Sequence, residues 1–390
     1  MLGGLRVAGF VATGLMLLAC GDDVDDGPSS GGSGGNADSG TTSAGGGGGG
    51  NDGTGGGPVV GDPIEAPANT WTWVDFPEAS CRDGSTTGIG VNLNPDATEV
   101  LIYLQGGGAC WNSLTCQANP STFGAAEFGG GSSLASGIFS RSNAANPVAN
   151  WNHVFVPYCT GDVHSGSNPD GMIGGQPQRF VGYDNMEAYL KRLVPTFPNA
   201  TKVLLAGASA GGFGASGTSY LVQQYFGPVE VVTLNDSGPA MRGDVLAPCL
   251  QTQWRDTWGL DETFLGACGD NCPDKTDFLV DYVRWVSEVV SPDRRWALMS
   301  TRSDDTIRFF FGLGENNCAS FTAMDAAKFS AGLDALADEV QPNPNFGIFY
   351  APGTSHTFLR SPSFYSTEVD GVVMADFVRD LVDGSTQQVR

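Results

Sequence analysis

Short, continuously apolar runs recur at Thr98–Leu104, His153–Tyr158, Lys202–Ala206, Val229–Leu234, Arg295–Ser300 and Asn345–Tyr350. Each is bounded by Gly, Pro, Asn or Asp, the pattern of strands buried on both faces. Helical spacing appears between them. Tyr183–Leu193 sets Met186, Tyr189, Leu190 and Leu193 on one face, and Met324–Val340 is Ala-rich with Leu333 and Leu336 together. Val369–Val382 repeats Val372, Val373, Phe377, Val378, Leu381 and Val382. Strand–helix alternation predicts an α/β fold with a mostly parallel central sheet flanked by helices. Residues 236–294 break the rhythm with a helical stretch at Phe278–Val290 and two tryptophans, Trp254 and Trp258, that read as exposed. They are expected to form a cap-like insertion. Residues 105–150 form a second long irregular segment, and loops of that length inside a domain are usually functional.

The N-terminal region changes character. Met1–Ala19 has one charge, Arg6, then the apolar run Val11–Ala19, too short to span a bilayer and suited to a signal peptide. It ends Leu17-Leu18-Ala19-Cys20, which resembles a bacterial lipobox and implies lipidation of Cys20. Residues 20–61 then read as a flexible Gly/Asp-rich tether, holding 18 of the 57 glycines and no Lys or Arg. The expected organisation is signal peptide 1–19, lipidated Cys and tether 20–61, and one catalytic domain 62–390. The implied location is the bacterial cell envelope, as a lipoprotein, or the extracellular space.

Net charge is −23, and removing the six aspartates of the tether and Arg6 still leaves −18 on the folded part. That balance disfavours nucleic acid, which needs clustered Lys and Arg, and electrostatic adhesion to anionic lipid. Setting Cys20 aside, eight of the nine cysteines remain, an even number that fits four disulfides in an oxidising compartment. Cys110/Cys116 and Cys268/Cys272 are close enough to close small loops, leaving Cys81/Cys159 and Cys249/Cys318, although spacing alone does not fix connectivity.

The chemistry centres on Gly207-Ala208-Ser209-Ala210-Gly211, directly after the run Lys202–Ala206 and where a helix can begin. In that setting Gly-x-Ser-x-Gly is a nucleophile elbow: the strand turns sharply and forces Ser209 up at its carboxyl end. A serine nucleophile needs a base, and the chain holds three histidines. His153 opens a strand and reads as packing; His164 lies in a loop that can line the site. His356 follows the last expected strand, where the order Ser, acid, His puts the base. The acid should follow Arg295–Ser300. Asp304 is preferred because Asp-x-x-apolar places Ile307 beneath it; Asp305 is the alternative, and Asp236 is the runner-up from another strand. Leu104-Gln105-Gly106-Gly107-Gly108 follows an expected strand and offers side-chain-free N–H groups, so Gly107, Gly108 and Ala210 are the candidate oxyanion hole.

The segments Leu104-Gln105-Gly106-Gly107-Gly108-Ala109-Cys110-Trp111, Tyr158-Cys159-Thr160-Gly161-Asp162, Gly207–Gly212 and Ser355-His356 resemble signatures of the pectin acetylesterase/Notum family. The resemblance implies an α/β-hydrolase fold and a secreted serine carboxylester hydrolase. In it Ser209 is the nucleophile, His356 the base, Asp304 or Asp305 the acid, and Gly107, Gly108 and Ala210 the oxyanion donors. Trp111, Asp162 and His164 are the expected substrate contacts. Two departures stand out: Gln105 replaces the usual Glu, and Ser303–Arg308 lacks the usual Asp-x-x-Gln. The expected reaction removes acyl groups, acetyl foremost, from an extracellular ester such as an acetylated polysaccharide. It needs no metal or organic cofactor. The expected partners are that substrate and a membrane reached through the Cys20 lipid. A competing reading is a catalytically silent, glycan-binding lipoprotein using Trp111, Trp254 and Trp258 to stack on sugars.

Overall fold

A computed structural model describes residues 61–390. The expected signal, Cys20 and the tether lie outside these residues, apart from Gly61, whose N–H donates to the Lys191 carbonyl (2.7 Å). An N-terminal hairpin, β1 (Thr72–Ser80) and β2 (Thr86–Asn92), leads into β3 (Glu99–Leu104). Short helices α1 (Ser113–Gln117) and α2 (Ala125–Phe128) follow, then β4 (Asn152–Val156) and the small hairpin β5 (Asn168–Ile173) and β6 (Gln176–Phe180). Next come α3 (Gly182–Thr196), β7 (Lys202–Ala208), α4 (Ala210–Phe226) and β8 (Glu230–Asp236). Helices α5 (Pro248–Trp258), α6 (Phe264–Cys268) and α7 (Leu279–Arg284) fill the interval before β9 (Trp296–Thr301). The chain closes with α8 (Asp305–Gly312), α9 (Ala326–Val340), β10 (Phe346–Ala351), the pair β11 (Glu368–Val369) and β12 (Val372–Val373), α10 (Met374–Asp383) and β13 (Gln388–Val389).

One nine-stranded sheet runs in the order β1-β2-β4-β3-β7-β8-β9-β10-β13. β2 is antiparallel to both its neighbours, and every pairing from β4 to β13 is parallel. This is the α/β-hydrolase-like arrangement expected. The strand period of two divides the core. Leu204 and Ala206 of β7 join the cluster under α10, whereas Val203 and Leu205 face α3 and α4. Because both faces are covered, the central strands read as unbroken apolar runs rather than as alternation.

The six expected strands are all present, shifted by a residue or two at their ends. Strands β1 and β2 were not expected, since Gly88 and Gly90 interrupt the apolar pattern; a side chain at Gly90 would collide with the Phe128 ring. The last helix begins later than expected, because β11 and β12 take up Glu368–Val373. Four disulfides form: Cys81–Cys159, Cys110–Cys116, Cys249–Cys318 and Cys268–Cys272.

Candidate active site

Ser209 sits between β7 and α4 with φ 57° and ψ −121°, a backbone conformation that costs an L-residue of order 1–3 kcal/mol. Its neighbours impose it. The Ser209 N–H donates to the Asp236 carbonyl (2.7 Å), and the Ser209 carbonyl accepts from Gly212 (2.8 Å) and Phe213 (3.1 Å). The turn is so tight that a Cβ on Gly207 would lie 2.0 Å from the Gly211 carbonyl oxygen. Only glycine fits, which is the physical content of the motif. The first turn of α4 directs its unpaired N–H groups towards this point.

His356 lies in the loop after β10, which is laced to the loop after β9. Arg302 N–H donates to Ala351 O (2.9 Å), Ser303 to Gly353 O (3.1 Å) and Asp305 to Thr354 O (3.2 Å). The lacing brings Asp304 to the histidine, with Oδ2 2.8 Å from Nδ1. Asp304 is fully buried, and its Oδ1 accepts from Ile307 N–H (2.9 Å), capping α8. Asp305 is 66 % exposed and paired with Arg308. Of the two carboxylates, Asp304 faces the ring. A carboxylate at Nδ1 requires the ring proton there, so Nε2 carries the free lone pair. Nε2 is buried and has no partner, and no hydrogen bond joins it to the Ser209 hydroxyl among the described residues.

Asp236 ties these halves together. While its carbonyl holds the Ser209 N–H, its Oδ2 accepts from Phe358 (2.7 Å) and Leu359 (2.9 Å), just beyond His356. Burial raises this carboxyl to about 6, against the opposing pull of those N–H groups. Asp236, the runner-up for the acid, anchors the histidine loop instead.

Gly107 and Gly108 follow β3, and a Cβ on their neighbour Gly106 would come within 3.0 Å of Ser209 Cβ. Gly108 has φ +77°, open to glycine and strained for other residues. No protein group accepts from the N–H of Gly107, Gly108 or Ala210 among the described residues. Of these, Gly108 and Ala210 share the cavity wall with Ser209.

Beside them opens a cavity walled by Ser209, Ala210 and Gly108 together with Trp111, Phe213, Trp254, Trp258, Phe264, Tyr282 and Phe310. Trp254 and Trp258 are stacked (5.6 Å, 8°) and only 6 % and 2 % exposed, so the expectation that they are surface residues is corrected. Their i, i+4 spacing put both on the inner face of α5. Trp111 is likewise buried and meets Trp254 edge-on.

Asp162 and His164, read as substrate contacts, are buried behind the site and do not line the cavity. Asp162 accepts from Thr160 Oγ1 (2.5 Å) and from Gly182 N–H (2.7 Å), pinning the loop to the start of α3. His164 Nε2 donates to the Gln105 carbonyl (2.8 Å), steadying the glycine loop from below. Burial raises Asp162 to about 6 and lowers His164 to about 4, keeping the imidazole neutral. Among the described residues no cluster of His, Cys, Asp and Glu is built to hold a metal ion.

The sequence profile of one family, pectinacetylesterase, matches residues 69–258. Over just under half of its length the chain is similar to the pectin acetylesterase/Notum family. It is 32 % identical over 169 residues to a palmitoleoyl-protein carboxylesterase, notum1, of Xenopus laevis, covering 41 % of this chain and 34 % of that protein. It is 32 % identical over 140 residues to the NOTUM carboxylesterase of Mus musculus, covering 35 % of this chain and 27 % of that protein. The chain thus spans about a third of the length of the curated relatives it matches. In structure it resembles the Wnt deacylase Notum from Drosophila, with a TM-score of 0.60 at 17 % identity over 83 % of this chain and 96 % of that one. That likeness bears on the fold. The family match ends at residue 258, so it includes Ser209 and the glycine loop but neither Asp304 nor His356.

Proposed function

We propose that this protein is an exported serine carboxylester hydrolase acting through Ser209, His356 and Asp304. The observation that carries the reading is the strained Ser209 in the wall of an apolar cavity, tied through Asp236 to the loop whose His356 pairs with Asp304. His356 takes the Ser209 proton as Oγ attacks the ester carbonyl, and Asp304 holds the imidazole in the required tautomer. The N–H groups of Gly107, Gly108 and Ala210 receive the oxyanion. His356 then protonates the leaving alcohol. Water activated by the same nitrogen releases the acid and restores the serine.

The cavity shifts the expected substrate. Its lining is largely apolar: Trp111, Phe213, Trp254, Trp258, Phe264 and Phe310 surround Ser209. Aromatic and aliphatic walls favour a longer acyl chain, each buried methylene contributing about 0.8 kcal/mol. The relatives named palmitoleoyl-protein carboxylesterases support a fatty acyl group. Export fits the four disulfides. Anchoring through Cys20 and reach through the tether complete the proposal. A silent glycan-binding protein would need exposed aromatic rings, and the three tryptophans it relied on are buried.

Labelling with a serine-directed alkyl phosphonate tests the reading: wild type should be modified at Ser209 and Ser209→Ala should not. An unlabelled, correctly folded wild type would overturn it.

A further inference from the structure

Asn119 lies outside every motif, in the irregular segment between α1 and α2, yet it is 6 % exposed and reaches the glycine loop. Its Nδ2 donates to the Gly107 carbonyl at 2.7 Å. The opposite amide orientation would set two oxygens against each other, so the donor must face that carbonyl. The Asn119 side chain also hydrogen-bonds the buried Tyr158 side chain, whose ring packs on Gly107.

The bond acts on one peptide plane. In a trans peptide the C=O and the following N–H point in opposite directions. Fixing the Gly107 carbonyl towards Asn119 therefore aims the Gly108 N–H away from Asn119, and Gly108 itself lines the cavity together with Ser209 and Ala210. Glycines rotate freely, and this loop needs an external hold. The Asn119 hold is itself braced. Arg82 Nη2 donates to the Asn119 carbonyl (2.7 Å) and to the Cys116 carbonyl (3.1 Å), and the Cys110–Cys116 disulfide closes the loop. On the other side the Tyr158 ring packs so closely on Gly107 that a Cβ there would lie 2.7 Å from it.

We infer that Asn119 is a positioning residue: by gripping the Gly107 carbonyl it orients the Gly108 N–H as an oxyanion donor. This inference rests on the serine-hydrolase reading. Deleting an oxyanion donor outright costs about 100- to 1,000-fold in kcat, and misaiming one should cost less, about 10- to 100-fold.

The test compares wild type, Ser209→Ala, Asn119→Ala and the isosteric Asn119→Asp on 4-nitrophenyl octanoate, with thermal melts of each. Both Asn119 variants should lose 10- to 100-fold in kcat with KM within about threefold. Inhibition by an alkyl trifluoromethyl ketone, which forms an oxyanion on Ser209, should weaken by the same factor as kcat/KM. Binding of octanoate, the product, should stay unchanged. A role confined to folding would lower the melting temperature and leave the ratio of ketone to octanoate affinity alone. If Asn119→Ala does not fold, the same-shaped Asn119→Asp decides. An active wild type with kcat of folded Asn119 variants within threefold overturns this inference and spares the hydrolase reading. A wild type without Ser209-dependent turnover overturns both.

Discussion

Asp304→Asn separates the two jobs of a single carboxylate. Oδ1 caps α8 through Ile307 N–H, and an asparagine oxygen serves that bond equally well. Oδ2 accepts from His356 Nδ1 at 2.8 Å, and there an amide nitrogen would face the ring instead. The imidazole must then carry its proton on Nε2, where it cannot accept from Ser209. A wrong tautomer of this kind lowers kcat by about 10⁴, equivalent to about 5 kcal/mol of transition-state stabilisation. Stability should change by less than about 1 kcal/mol, since the cap survives. Asp304→Ala should add the lost cap, roughly 0.5–2 kcal/mol. Asp305→Asn is the control: its side chain is 66 % exposed and bonds only Arg308, so activity should stay within twofold. The assay is steady-state hydrolysis of 4-nitrophenyl octanoate, paired with thermal melts. A tenth or more of wild-type kcat in Asp304→Asn, or an equal loss in Asp305→Asn, would refute the assignment.

Burial lowers His153 and His164 to about 4 and raises Asp162 and Asp236 to about 6, so their contributions to stability oppose each other in mild acid. A neutral buried histidine stabilises above the unfolded value near 6.5 and loses that contribution as pH falls through 4; the raised aspartates stabilise at low pH and lose theirs as pH rises through 6. His164→Gln should therefore close its stability gap to wild type between pH 6.5 and 4 in urea titrations, and a constant gap would count against this burial effect. Replacing Cys81 and Cys159, which are 78 residues apart, should destabilise by about 4–5 kcal/mol, against about 2 for Cys268 and Cys272, four residues apart. Denaturant midpoints would order the two pairs. Val283→Trp, which fills the cavity wall, should cut kcat/KM for the octanoate ester at least tenfold and leave the acetate ester within threefold.

The parts of this molecule legible in sequence are those whose physics is local. An apolar run buried on both faces announces β7, and Gly207, Ser209 and Gly211 announce the turn after it, because only small residues let that turn close. Asp304 was readable because its cap to Ile307 is a three-residue relation, although its partner His356 is 52 positions away. What escaped depends on distant neighbours. Gly90 looks like a strand breaker until Phe128 is seen to occupy its space. Asp162 looked like a polar group near substrate, and its burial follows from Gly182 at the start of α3. Trp254 and Trp258 read as exposed inside a polar helix, though their own spacing pointed inward. Asn119 offered no local signal; its meaning comes from one carbonyl twelve residues back.

The central claim is a Ser209 nucleophile fed by an apolar acyl cavity, and a chain-length series tests it most directly. For 4-nitrophenyl esters from acetate to dodecanoate, kcat/KM in wild type should climb by up to about fourfold per methylene until the cavity is full, and be abolished in Ser209→Ala. Turnover that survives Ser209→Ala, or that is greatest for acetate, would contradict the account.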